Sequence, residues 1–138
     1  MAMICMLDTD ILIYFMNRNR GFEKIARRMS GRSPGEMRLS AITLAELRFG
    51  IDQGELRKQN NATLDGLLEF LEVDDFPGEA AHDFAQIKTA LVSDGTPIGP
   101  FDLLIAAHAR RIRATLVTNN EREFRRVPGL TVQNWLKP

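Results

Sequence analysis

Short, wholly apolar runs alternate along this chain with longer stretches in which apolar residues recur every third or fourth position. The first pattern suits a strand covered on both faces, and the second an amphipathic helix. Met3 to Leu7 is apolar throughout and predicts the first strand. Thr9 to Asn17 follows as a helix, with Ile11, Leu12, Phe15 and Met16 on one stripe. A second helix is predicted over Phe22 to Met29, and Gly31-Arg-Ser-Pro-Gly35 is a turn. Leu39 to Ala41 reads as a short strand. Thr43 to Gly50 reads as a helix with Thr43 as N-cap and Glu46 at the third helical position, a capping-box spacing. The next helix spans Asn61 to Glu69, with Leu64, Leu67, Leu68 and Leu71 as its apolar set, and a strand is expected near Leu71 to Val73. Glu79 to Asp94 is an amphipathic helix, Thr96 to Pro100 a loop, and Asp102 to Arg111 a helix apolar enough to be buried. Ala114 to Val117 and Leu130 to Val132 are the last strands, with Trp135 closing the edge. Strands alternating with helices in this way predict an α/β fold with a parallel sheet.

A length of 138 residues fits a single domain over 1–138. A chain this long buries a core without disulfides or a structural metal. No apolar run reaches the roughly 20 residues of a membrane span, and the N-terminus lacks the basic region of a signal peptide. The one cysteine, Cys5, lies in an apolar run and is expected in the core, in keeping with a cytoplasmic protein. Net charge is zero, yet the charges are segregated. Arg18 to Arg38 holds seven basic residues and two acids, and Arg110 to Arg126 six basic residues and two acids. Asp65 to Asp83 holds seven acids and no lysine or arginine. Such segregation fits either a phosphate-attracting face or ordinary solvated helices.

The acids change the picture most. Asp8 and Asp10 sit where an apolar strand ends and a helix begins. Open α/β sheets bind ligands outside the carboxyl ends of their strands. Asp102 opens the buried helix, Glu46 lies in the first turn of another, and Glu121 and Glu123 follow the strand ending Val117-Thr118. Each has a plain alternative as a helix cap or a partner of the helix dipole. Together, carboxylates at one end of one sheet repel unless they share a cation. Mg²⁺ suits such a group, because it takes oxygen ligands and keeps several waters. It also activates water against a phosphodiester. His82 and His108 lack metal-ligand spacing and read as structural, and no phosphate-binding glycine loop or serine elbow is present.

Four stretches match a known pattern in order and spacing: Met6-Leu-Asp-Thr-Asp-Ile-Leu-Ile-Tyr14, Leu39-Ser-Ala-Ile-Thr-Leu-Ala-Glu-Leu-Arg-Phe-Gly50, Ile98-Gly-Pro-Phe-Asp-Leu-Leu-Ile-Ala-Ala-His-Ala109 and Leu116-Val-Thr-Asn-Asn-Glu-Arg-Glu-Phe124. Val127-Pro-Gly-Leu130 and Asn134-Trp135 complete it. The chain thereby resembles the PIN-domain ribonucleases, and within them the VapC toxins of bacterial VapBC toxin–antitoxin pairs. The resemblance implies a three-layer α/β/α sandwich around a central parallel sheet of four to five strands. It implies a Mg²⁺-dependent endoribonuclease, with Mn²⁺ as a substitute. Asp8 and Asp102 match the metal-binding aspartates, and Glu46 and Glu123 complete the catalytic acids, with Asn120 the competitor for the fourth corner. Three departures stand out: Asn119 and Asn120 where relatives carry aspartate, Asp10 where they are uncharged, and Phe101 where asparagine is common. The family further implies a homodimer, a VapB-type antitoxin and a structured RNA substrate, either a tRNA or a ribosomal RNA loop, with the anticodon loop of initiator tRNA the nearest match. Two rivals remain: a haloacid-dehalogenase-like phosphatase, whose motif departs at Leu12, and a PIN domain that binds RNA or antitoxin without catalysis.

Overall fold

The computed structural model describes residues 3–138. Five strands form one sheet: β1 (Cys5–Leu7), β2 (Met37–Ser40), β3 (Glu72–Asp74), β4 (Thr115–Val117) and β5 (Thr131–Gln133). Their order is β3-β2-β1-β4-β5, and every pairing is parallel. Parallel neighbours need crossovers, and helices supply them. They are α1 (Thr9–Met16), α2 (Phe22–Ser30), α3 (Ala41–Gln53), α4 (Arg57–Leu67), α5 (Ala80–Ser93), α6 (Pro100–Arg111) and α7 (Glu121–Phe124).

The strands' twofold alternation divides the core. Cys5, Leu7, Met37, Leu39 and Val117 pack with residues of α1 to α4 and with Trp135. Met6, Leu116 and Val132 point to the opposite face, against α5, α6 and Phe124. A sheet covered on both faces explains why its central strands are apolar throughout. The three-layer α/β/α arrangement agrees with the expectation from sequence.

Several element ends move. The chain leaves β2 at Ser40, and α3 starts there, three residues before the expected N-cap at Thr43. The Ser40 hydroxyl accepts from the Ile42 N–H at 3.1 Å and takes the cap. Thr43 is buried inside the helix, so Glu46 falls in the second turn and is not a capping residue. Helix α4 begins at Arg57, four residues earlier than its apolar set indicates, because its first turn is polar and exposed. Pro100 belongs to α6, where its fixed φ and missing N–H suit the first helical position. The four-residue α7 is too short to show a periodic signature and was not anticipated.

Candidate active site

Strand β1 is the point where the strand order reverses, since the chain builds β2 and β3 on one side of it and β4 and β5 on the other. A crevice forms at the carboxyl ends of such strands. Asp8 follows β1 directly, and its N–H bonds the carbonyl of Val117 at the end of β4. It is the N-cap of α1, so one carboxylate oxygen accepts from the Ile11 N–H at 2.9 Å. The other accepts from the Thr118 hydroxyl at 2.5 Å. Thr118 is itself fixed, accepting from the Asn120 N–H at 2.8 Å. Capping and site chemistry are therefore not alternatives at Asp8. Each oxygen spends one lone pair on the protein and keeps another.

Asp8 is 2% exposed. Burial raises its pKa to about 7, against the pull of the Thr118 and Ile11 hydrogen bonds and with a further push from the charges of Asp10 and Asp102. Asp102, in the first turn of α6, is raised to about 6. Burial is again the main cause, followed by the charges of Asp10, Glu123 and Glu46 and a hydrogen bond shared with Glu123. Glu123 also accepts from the Asn120 side-chain amide at 2.7 Å. The two candidates for the fourth corner thus lie side by side, with the glutamate against Asp102 and the asparagine bracing it. Glu46 accepts from the Thr9 hydroxyl at 2.6 Å, which ties α3 to α1. Asp10 is exposed on the rim.

Five acids from four helices and a strand end therefore act on one another. Among the described residues, no three metal-ligating side chains converge tightly enough to enclose an ion by themselves. The all-oxygen donors and the crowding of like charges fit a hard cation and do not fit a thiophilic one. Sequence reading missed the second tier of the site, Thr9 and Thr118. Each is a hydroxyl residue at the carboxyl end of a central strand, and that placement was the available signal.

The PIN domain family matches residues 5–130. The chain belongs to the VapC ribonucleases of the PIN-domain family. It is 39% identical to Ribonuclease VapC2 of Rickettsia felis, over 98% of this chain and all of that relative. It is 37% identical to the tRNA(fMet)-specific endonuclease VapC of Shigella flexneri, over 94% of this chain and 96% of the relative. The crystal structure of VapBC2 from Rickettsia felis bound to a promoter DNA fragment superposes with a TM-score of 0.87, covering 96% of this chain and 99% of that one. The VapC membership favours the ribonuclease over the phosphatase alternative, and PIN-domain nucleases are metal-dependent. No helix of the described residues is long and apolar enough to cross a membrane.

Proposed function

We propose that this chain is the toxin of a VapB-type antitoxin and hydrolyses structured RNA at the carboxylate cluster, with Mg²⁺ as the cation and Mn²⁺ able to replace it. The observation that carries the residue assignment is the pairing of a buried, doubly hydrogen-bonded Asp8 with an Asp102 crowded by three further acids. Asp8 and Asp102 would hold the cation, with Glu46 and Glu123 completing the acidic wall beside it. When bound, the cation polarises the phosphodiester and makes an attacking water more acidic.

The chain's own residues do the rest. The Ile11 N–H and the Thr118 hydroxyl hold the Asp8 carboxylate in one orientation. Glu123, kept in place by Asn120, accepts a proton from the attacking water. The water oxygen bonds to phosphorus, the bond from phosphorus to the 3′-oxygen breaks, and that oxygen takes up a proton. The products are a 5′-phosphate and a 3′-hydroxyl. The substrate is a tRNA, with the anticodon loop of initiator tRNA favoured by the likeness to tRNA(fMet)-specific relatives. VapBC complexes among the structural neighbours support the antitoxin partner and are consistent with a homodimer. A tRNA substrate supports a cytoplasmic location for the protein.

The test is sequencing of RNA ends after expression of the chain, with Asp8→Asn as control. New 5′-phosphate ends that vanish in Asp8→Asn are expected. A 2′,3′-cyclic phosphate product, or full activity in Asp8→Asn, overturns the assignment.

A further inference from the structure

An open cleft of about 620 Å³ runs beside the acids, lined by Thr9, Asp10, Ile13, Glu46, Phe49 and Phe101 among others. Two large aromatic side chains stand in it unburied, Phe49 at 66% and Phe101 at 53% exposure. Neither contributes to the two core clusters. Their placement follows that of the acids. Phe101 immediately precedes Asp102 on α6, and Phe49 lies one helical turn beyond Glu46 on α3, on the same side. Each aromatic ring is thus coupled by the backbone to a carboxylate of the cluster.

A ligand complementary to such a cleft alternates anionic groups, which meet the acids through a shared cation, with flat apolar groups, which meet the rings. A nucleic-acid strand has that alternation. Bases splayed from a single-stranded loop stack on aromatic side chains, and the stacking tolerates any base because each has a π-face. Resting on the ribonuclease reading above, we infer that Phe49 and Phe101 are stacking platforms for the nucleobases flanking the cleaved phosphodiester. They select unpaired RNA over helical RNA, because a base inside a duplex cannot leave its stack to reach them. A protein segment that carries a cationic side chain beside apolar ones is the competing occupant, and the experiment below separates the two.

The experiment measures binding of the full chain, with Ca²⁺ replacing Mg²⁺, to a short fluorescent oligoadenylate and to an abasic backbone of the same length. The wild type should bind the oligoadenylate roughly tenfold or more tightly than the abasic strand. Phe101→Ala and Phe49→Ala should each erode that preference and leave abasic binding unchanged. Phe101→Trp should keep the preference and Phe101→Leu should lose it, which separates stacking from general apolar contact. Equal binding of both probes by the wild type, or a Leu variant as good as Phe, overturns the inference. Binding of neither probe also overturns it, whereas the ribonuclease reading stands or falls on the RNA ends described above. Alanine variants that keep the base preference but no longer co-purify with a co-expressed antitoxin make the cleft a protein-docking surface, and also overturn it.

Discussion

Asp8 shows how one side chain is tuned by its contacts. Burial favours its neutral form, whereas the cluster needs the anion. The Thr118 hydroxyl and Ile11 N–H move the balance back toward ionisation. Thr118→Val removes one of these donors and leaves the shape nearly unchanged. The Asp8 pKa should rise further, so the acid limb of the pH–rate profile should move about one pH unit to the alkaline side, the scale of one hydrogen bond to a charged group. RNA cleavage should fall roughly tenfold near pH 6.5 and much less at pH 8.5, and Thr118→Ser should behave as wild type. An unmoved profile in Thr118→Val refutes the tuning role. Asp8 and Asp102 stood out in the sequence because each sits at a strand end or a helix start, whereas Glu46 stood out through a capping-box spacing that the fold does not use. Thr118 and Thr9 did not, since a hydroxyl residue at a strand end becomes informative only once the strand order brings β1 beside β4.

Helices α3 and α6 carry two of the four predicted catalytic acids, Glu46 and Asp102, and each has its own anchor. Ser40 caps α3 and its hydroxyl also meets Nδ1 of the buried His108 of α6 at 2.8 Å. Ser40→Ala should cost about 1–2 kcal/mol by urea unfolding, the scale of a lost cap with a buried histidine left unpaired. Little or no loss shows that the pairing is incidental. Farther along α6, Arg110 and Arg111 both bond the Asp83 carboxylate of α5, at 2.8 and 2.6 Å. Burial disfavours the Asp83 anion, but the two arginines outweigh it and hold its pKa below the ordinary carboxylate range. A lowered pKa means that this stability is present above the unfolded value and lost as pH falls through the folded one. Asp83→Ala should therefore cost about 2 kcal/mol at pH 7, partly screened because Arg111 is more exposed, and much less at pH 3. Equal costs at both pH values exclude the ion pair as the cause. At this scale the long periodic helices were legible, whereas the start of α3 was not. Ser40 and Thr43 are both good caps, and the choice between them depends on where β2 stops, which β1 and β3 decide by pairing with it.

Across the whole molecule, the cluster sets stability against function. Asp8 and Asp102 have folded pKa values of about 7 and 6, above their unfolded values. The sign for a raised carboxyl is that its contribution is fully present below the unfolded pKa, near 4, and lost as pH rises through the folded one. Without metal, the native state should thus lose stability between pH 4 and 7, by about 4 kcal/mol at most from Asp8. His108 works in the opposite direction, because burial lowers its pKa and its contribution is lost as pH falls below the ordinary histidine value. The wild-type curve minus that of Asp8→Asn isolates the aspartate. A cation that binds the native state alone adds stability by mass action. It needs ionised ligands, so its effect should grow over the same pH range in which the repulsion grows. Millimolar Mg²⁺ should raise the melting temperature by several degrees at pH 8, by almost nothing at pH 5, and by almost nothing in Asp8→Asn at either pH, with EDTA reversing the gain. A shift of equal size in Asp8→Asn means that Mg²⁺ binds elsewhere on the protein. The strain of gathering acids at the switch point is then unrelated to metal, and Asp8 loses its place at the centre of the site.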